Sequence, residues 1–243
     1  MRAGRGRLAG GVSAPPLSTV RTVVAIVALA LGGFAIGTTE FVTMGVLPDI
    51  ADGVGVDIPS AGHVISAYAL GVVVGAPVIA ALSARLPRRA LLVGLMGAFL
   101  VGNLLSALAP GYGSLLLARF VAGLPHGAYF GVASLIAAAL VPAHLRGRAV
   151  SSVMLGLAVA NVAGVPAGTW LGQHLGWRSA YWAVVVLAVL TVAAVVAVVP
   201  RVPAAAAPPA TPRPGRRPRS RRRAAARPGS GRRAGSRSPV PGR

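Results

Sequence analysis

Residues Thr22–Leu47 read TVVAIVALALGGFAIGTTEFVTMGVL. This run is continuously apolar, without the period-two alternation of a membrane strand, and longer than the ~20 residues a helix needs to cross ~30 Å of hydrocarbon. One position breaks the pattern. Glu40, within Gly37-Thr38-Thr39-Glu40-Phe41, places a carboxylate inside the span. An ionisable side chain at the centre of a membrane helix costs about 3 kcal/mol, and where it occurs it marks a substrate, ion or proton pathway. The stretch therefore predicts a membrane helix and a transport role together.

Five further blocks of the same kind follow, at about Ala61–Leu82, Ala90–Leu108, Ser114–Ala137, Ala149–Leu171 and Ala180–Val199. The chain is 55% hydrophobic and 12% charged, about half the charge of a soluble domain. The expected fold is an all-α membrane bundle of six helices. Residues 1–20 form a basic N-terminus, 21–199 the six-helix domain and 200–243 a tail. The first connection carries Asp49, Asp52 and Asp57 and no Arg, and the third is uncharged. The second carries Arg85, Arg88 and Arg89 and the fourth Arg146 and Arg148, whereas the fifth has only Arg178. Basic residues thus favour the even-numbered connections and both termini. Positively charged loops stay cytoplasmic, so the reading is a multi-pass plasma-membrane protein with both termini inside.

The composition also excludes chemistries. Cysteine is absent and the four His lack ligand spacing, so no metal, cofactor or enzymatic centre is expected. No Lys occurs, and a phosphate-binding P-loop requires one. That argues against ATP-driven pumping by this chain itself and leaves a separate ATPase subunit open. Arg2, Arg5 and Arg7 precede the first apolar run, but that run exceeds the ~7–15 residues of a signal-peptide core, and a retained span is expected. The tail holds 13 of the 24 basic residues, all Arg, among Pro, Ala, Gly and Ser. Such a composition predicts disorder. It suits a solvated tail or adhesion to anionic membrane lipid. It offers no aromatic residue for nucleic-acid stacking. Its monotony also suits translation in a shifted frame.

Small residues recur where helices must approach. The fourth block has Gly123, Gly127 and Gly131, and the fifth Gly156, Ala160, Gly164, Gly168 and Gly172, the spacing of close helix packing. Pro166 lies between Gly164 and Gly168 and predicts a kink or soft point, as do Pro77 and Pro125 in the second and fourth spans. Glu40 lies about 10 Å below the outer end of its span and Arg119 about 8 Å below the same surface, at 1.5 Å per residue. If their helices are neighbours the two charges can pair, and losing that pair would favour proton uptake by Glu40. His126 follows Arg119 by seven positions on nearly the same helix face and is a second candidate proton carrier. Asn161 and Asn103 either contact substrate or bond across helices, and Tyr68 either lines the cavity or packs. Tyr129 and Phe130 either line a cavity or pack.

Several of these runs resemble the major facilitator superfamily, in particular its bacterial drug and sugar efflux branch of arabinose-efflux-like and chloramphenicol-exporter-like permeases. Phe34–Ala51 is similar to the first-span signature. Leu117-Ala118-Arg119-Phe120-Val121-Ala122-Gly123 resembles the fourth-span motif, whose Arg the resemblance implicates in proton transfer. Gly156 to Gly168, with Gly164-Val165-Pro166, resembles the fifth-span motif of antiporters. Trp177-Arg178-Ser179-Ala180-Tyr181-Trp182 resembles the start of the sixth span. The loop between the second and third spans keeps Arg85, Arg88 and Arg89, but Ala84 and Pro87 replace the family's Asp and second Gly. An Asp-based cytoplasmic latch there lacks its acidic partner. The resemblance implies proton-coupled efflux of a drug or sugar, with small-molecule substrate and protons as partners. It covers only the first six of twelve family spans. Three readings stay open: a parallel homodimer, a truncated half that does not transport, and a membrane scaffold with a basic tail.

Overall fold

The computed structural model describes residues 18–82 and 86–200, and among these every regular element is helical. The helices are α1 (Thr19–Gly45), α2 (Leu47–Val54), α3 (Ile58–Ala61), α4 (His63–Leu82), α5 (Arg88–Leu108), α6 (Tyr112–Gly123), α7 (His126–Ala139), α8 (Arg146–Val159), α9 (Val165–Leu175) and α10 (Arg178–Val198). They compose six segments long and apolar enough to cross a membrane: Thr19–Gly45, Ile58–Ala81, Arg88–Leu108, Tyr112–Ala139, Ala143–Leu175 and Arg178–Val198. Hydrocarbon offers no partner to a free N–H or C=O, so each span must close its own backbone hydrogen bonds. The expected all-α six-span bundle is what forms. Arg85, the N-terminal residues to 17 and the tail from 201 lie outside the described residues.

Breaks in the helices fall where local chemistry demands them. The run expected to reach Leu47 ends at Gly45, and Pro48 sits in the first turn of α2, where its missing N–H is harmless. Gly55, at φ 70°, ends α2 in a left-handed conformation that glycine adopts freely. Asp57 caps α3 by accepting from the Ser60 N–H at 3.0 Å, and these bonds hold its carboxyl below the usual carboxylate range. The three transmembrane prolines act differently from one another. Pro77 lies within an unbroken α4. Pro125 separates α6 from α7. Pro166 follows a π-helical turn at Ala160–Gly164, so the soft point predicted there takes the form of a widened turn rather than a break. A proline ring removes one donor and crowds the preceding turn, and a π turn absorbs both effects.

α1 occupies the middle of the bundle, touching α4, α7, α8, α9 and α10. Its contact with the fifth span is backbone-close because the glycine stripe faces it. A Cβ added at Gly156 would land on the Ala30 carbonyl. One at Gly164 would land on Thr38 and Phe34, one at Gly168 on Val42 and one at Gly172 on Val46. α4 and α6 meet the same way through Gly71, Gly75 and Gly123. Gly131 faces open space, so the fourth-span series contributes to packing only at its first members. Tyr129 is fully buried, fills the notch left by Gly32 and donates to the Leu29 carbonyl at 2.8 Å. It packs and does not line a cavity.

At the acidic end of the bundle, Trp177 is buried with its indole against Gly53 of α2. Arg178 stacks on that indole at 4.2 Å and donates to the Ala109 carbonyl at 2.8 Å, satisfying an acceptor just past the end of α5. At the other end the Arg89 guanidinium donates to the Val196 carbonyl in the last turn of α10, a favourable place for a cation.

Gly156→Leu should therefore lower the thermal stability of the detergent-purified protein by roughly 1–3 kcal/mol or more, the usual range for overpacking. Gly131→Ala should be neutral or stabilising by up to about 1 kcal/mol through helix propensity. Melting curves followed by size-exclusion chromatography check both.

Candidate functional site

Thr39 and Glu40 are consecutive on α1, so their side chains leave the helix about 100° apart. That angle divides the polar residues into two groups. Thr39 is fully buried and points towards α5 and α6. Its hydroxyl donates to Asn103 Oδ1 at 2.6 Å and accepts from the Arg119 guanidinium at 3.0 Å. Arg119 also donates to the Thr39 carbonyl at 3.2 Å. The direction of the Thr39 hydroxyl is settled by its neighbours, because Asn103 uses its amide N–H on the Phe99 carbonyl at 2.9 Å, leaving its oxygen to accept. Thr43, one turn on, donates to the Thr39 carbonyl at 3.1 Å and meets the Tyr181 hydroxyl at 3.1 Å.

Arg119 is 0% exposed. A guanidinium so placed must be compensated locally or not be tolerated at all. Besides Thr39, two aromatic faces surround it, Tyr68 at 4.4 Å and Tyr181 at 5.3 Å from the ring centres, each a cation–π contact. Its Nε has no partner among the described residues.

Glu40 lies on the other side of this cluster. Its side chain is 31% exposed, and His126 Nε2 lies 4.0 Å from its carboxylate, too long for a hydrogen bond. His126 Nδ1 lies 2.9 Å from the Tyr68 hydroxyl, and its ring packs against Tyr68 and Phe130. The side chains thus run in sequence from Glu40 through His126, Tyr68, Arg119 and Thr39 to Asn103. A cavity of about 370 Å³ opens beside them, lined by Glu40, Phe41 and Met44 of α1, Ile65, Tyr68, Ala69, Val72 and Val73 of α4, and Arg119 of α6. That size falls within the usual range for small-molecule sites, roughly 300–1,000 Å³.

The expected Glu40–Arg119 ion pair does not form. Both residues border the cavity, but the guanidinium is engaged by Thr39 and the tyrosine rings. Of the two readings of Asn103, the structure shows the bond across helices: it is fully buried behind Thr39 and accepts from its hydroxyl. Asn161, given the same two readings, is exposed on the π turn and donates to the Leu157 carbonyl of its own helix at 3.0 Å. Tyr68 does border the cavity, its ring set between Arg119 and His126. Gly156, Gly164 and Gly168 face α1 and Pro166 follows the π turn, all away from the cavity lining. Arg88 and Arg89 begin α5 at the basic end. Thr39, Thr43 and Tyr181 received no role from the sequence. The available signal was polar residues recurring in an otherwise apolar α1, at Thr38, Thr39 and Thr43.

The sequence pattern of the Major Facilitator Superfamily matches residues 29–236. The chain belongs to this superfamily. It is 51% identical over 166 residues to the inner membrane transport protein YdhP of Escherichia coli, an alignment covering 68% of this chain and 43% of that protein. It is 45% identical over 158 residues to a chloramphenicol resistance protein of Streptomyces lividans, covering 65% of this chain and 40% of that one. Among solved folds, the xylose transporter XylE of E. coli superposes with a TM-score of 0.65 at 17% identity, over 74% of this chain and 49% of that one. At that identity the likeness establishes the fold. The chain therefore spans about half the length of the superfamily members it matches, and its six spans are the N-terminal half of their architecture.

Within this half-architecture Asn103→Leu should be more damaging than Tyr181→Phe. The first leaves the buried Thr39 hydroxyl without its acceptor, at about 1–3 kcal/mol. The second loses one interhelical bond, worth about 0.6 kcal/mol on average in membranes. Thermal unfolding of the two variants in detergent ranks them.

Proposed function

We propose that the chain forms the proton-coupling half of a secondary transporter that exports a small organic solute, drug or sugar, against inward proton flow. It works in the plasma membrane with both termini cytoplasmic. The observation that carries this reading is the Glu40 carboxylate. It sits within a membrane span, on the wall of a ligand-sized cavity, and accepts no hydrogen bond from any described residue. A charge so placed costs about 3 kcal/mol and adds nothing to packing, so its use lies in taking up and releasing protons. His126 supplies a second titratable group at 4.0 Å and Tyr68 joins it to Arg119. Arg119 places a fixed positive charge on the same cavity wall, and in this scheme a change in its distance from Glu40 couples helix movement to proton uptake.

The fifth span supplies the movement in this scheme. Gly156, Gly164 and Gly168 hold it close to α1, and the π turn before Pro166 concentrates the bending. Related transporters bind substrate between two halves related by an axis along the membrane normal. The second wall would come from a parallel copy of this chain or from a separate second half. The relative named for chloramphenicol resistance favours a drug-like solute.

The test is uptake into inverted membrane vesicles carrying the full chain, with radiolabelled chloramphenicol, ethidium and arabinose as probes. An inward-acid gradient should drive accumulation of at least one probe, and a protonophore should abolish it. Glu40→Gln should reduce the gradient-driven component at least tenfold. Gradient-driven uptake that is unchanged in Glu40→Gln removes Glu40 from coupling. Absence of any gradient-driven uptake counts against transport by the chain.

A further inference from the structure

Charge is divided between the two ends of the bundle. The chain has four acidic residues. Glu40 borders the cavity, and Asp49, Asp52 and Asp57 lie on α2 or at the cap of α3, at one end. At the opposite end α1, α5 and α8 begin. Their first turns hold Arg21, Arg88, Arg89, Arg146 and Arg148 and no acidic residue. The Arg89 guanidinium donates to the Val196 carbonyl. The side chains of Arg21, Arg88, Arg146 and Arg148 make no hydrogen bond or ion pair with any described residue. With all four acidic residues placed elsewhere, no segment of the chain brings a carboxylate side chain to this end. Arginine in a first turn also opposes the helix dipole. The basic end is therefore short of counter-ions by the composition of the whole chain, and the shortage has to be met from outside it.

The apolar side chains beside these arginines identify what meets them. Val20 and Val24 flank Arg21 on α1, and both are exposed. Exposed Leu86 lies just before Arg88. Leu155, also exposed, follows Arg148 by seven positions and so shares nearly the same helix face. Apolar surface that runs along a helix up to a guanidinium is the profile of a span leaving hydrocarbon for the headgroup layer. Arg21, Arg146 and Arg148 are exposed and Arg88 partly so, which leaves all four open to lipid phosphate. A soluble acidic partner would meet the charges but leave the apolar neighbours uncovered. We propose that the basic end of the bundle is a docking surface for anionic phospholipid of the phosphatidylglycerol type. Its headgroups supply the counter-ions that the chain lacks, and its acyl chains cover Val20, Leu86 and Leu155. The inference is independent of the export reading, since it concerns what holds the basic end and not what crosses the membrane. Each basic residue near an anionic bilayer surface adds about fivefold to lipid affinity, so four acting together favour anionic over zwitterionic lipid strongly.

Melting of the purified full-length chain in mild detergent, followed by size-exclusion chromatography, tests the proposal. Dioleoyl phosphatidylglycerol should raise the midpoint by about 4 °C or more, as a ligand of the folded state does, and dioleoyl phosphatidylcholine by less than half as much. Inorganic phosphate and polyglutamate, which carry charge without acyl chains, should not reproduce the shift. Arg21→Gln, Arg88→Gln, Arg146→Gln and Arg148→Gln combined should abolish the phosphatidylglycerol increment. The same number of charges removed from the tail, by Arg216→Gln, Arg217→Gln, Arg219→Gln and Arg221→Gln, should leave it unchanged. A measurement on the unmodified protein covers the case in which the first combined variant fails to fold. Phosphatidylglycerol should slow phenylglyoxal modification of Arg146 and Arg148 at least fivefold, read by mass spectrometry, and phosphatidylcholine should not. An equal shift with both lipids overturns the proposal. So does an increment that survives the first four substitutions or vanishes with the tail substitutions, and so does arginine modification indifferent to lipid charge. Stabilisation by polyglutamate equal to that by phosphatidylglycerol also overturns it and assigns this face to an acidic protein segment. The same result with inorganic phosphate overturns it in favour of a free anion.

Discussion

Close approach between α1 and the fifth span is the constraint on which the rest of the bundle depends. Lipid surrounds a membrane helix with partners as apolar as its own side chains, so burying leucine against leucine gains little. Contact must instead be made close, through dispersion and backbone proximity. Gly156, Gly164, Gly168 and Gly172 provide that on one side, and Ala30, Phe34, Thr38, Val42 and Val46 of α1 answer them in register. With α1 held on this face, its remaining circumference is committed. Thr39 and Thr43 turn towards Asn103, Arg119 and Tyr181. Glu40 turns towards α4 and α7.

The buried guanidinium is the second organising element. Arg119 is the largest fully buried side chain among the described residues, and its charge is met by a hydroxyl, a carbonyl and two aromatic faces rather than by a carboxylate. That arrangement binds α6 to α1, α4 and α10 at one point. It also leaves Glu40 free of a direct counter-ion, which makes its protonation depend on the surroundings rather than on one fixed bond.

Helix type, span number and the positions of the glycine stripe were legible in the sequence because each follows from local rules. Hydrocarbon requires closed backbone hydrogen bonds, ~20 apolar residues cross it, and small residues every four positions make a flat helix face. The shared depth of Glu40 and Arg119 was legible too, since depth depends only on rise per residue. Their failure to bond was not, because it depends on rotation about the helix axis and on what else competes for the guanidinium. Asn103 shows the same limit. Its polarity at depth suited ligand contact or a bond across helices, and only packing chose the second, with Thr39 donating to its oxygen and its amide donating to the Phe99 carbonyl. Asn161 is the converse case, polar and at depth but turned outward on a π turn that no local pattern announces.

By itself, then, the sequence determined that this chain is a six-helix membrane bundle of the major facilitator type, with one acidic residue at depth. The six spans and the acidic residue at depth are set by composition, length and period along the chain, and the family type by the motifs that resemble it. The tertiary structure alone decided which polar groups meet. It put Thr39, not Glu40, against Arg119, placed Asn103 behind the threonine, and left the carboxylate facing a cavity beside His126. The reason is geometric. A residue's height in the membrane is a one-dimensional quantity carried by the chain, whereas its partner is chosen by the rotation and spacing of helices that only packing sets.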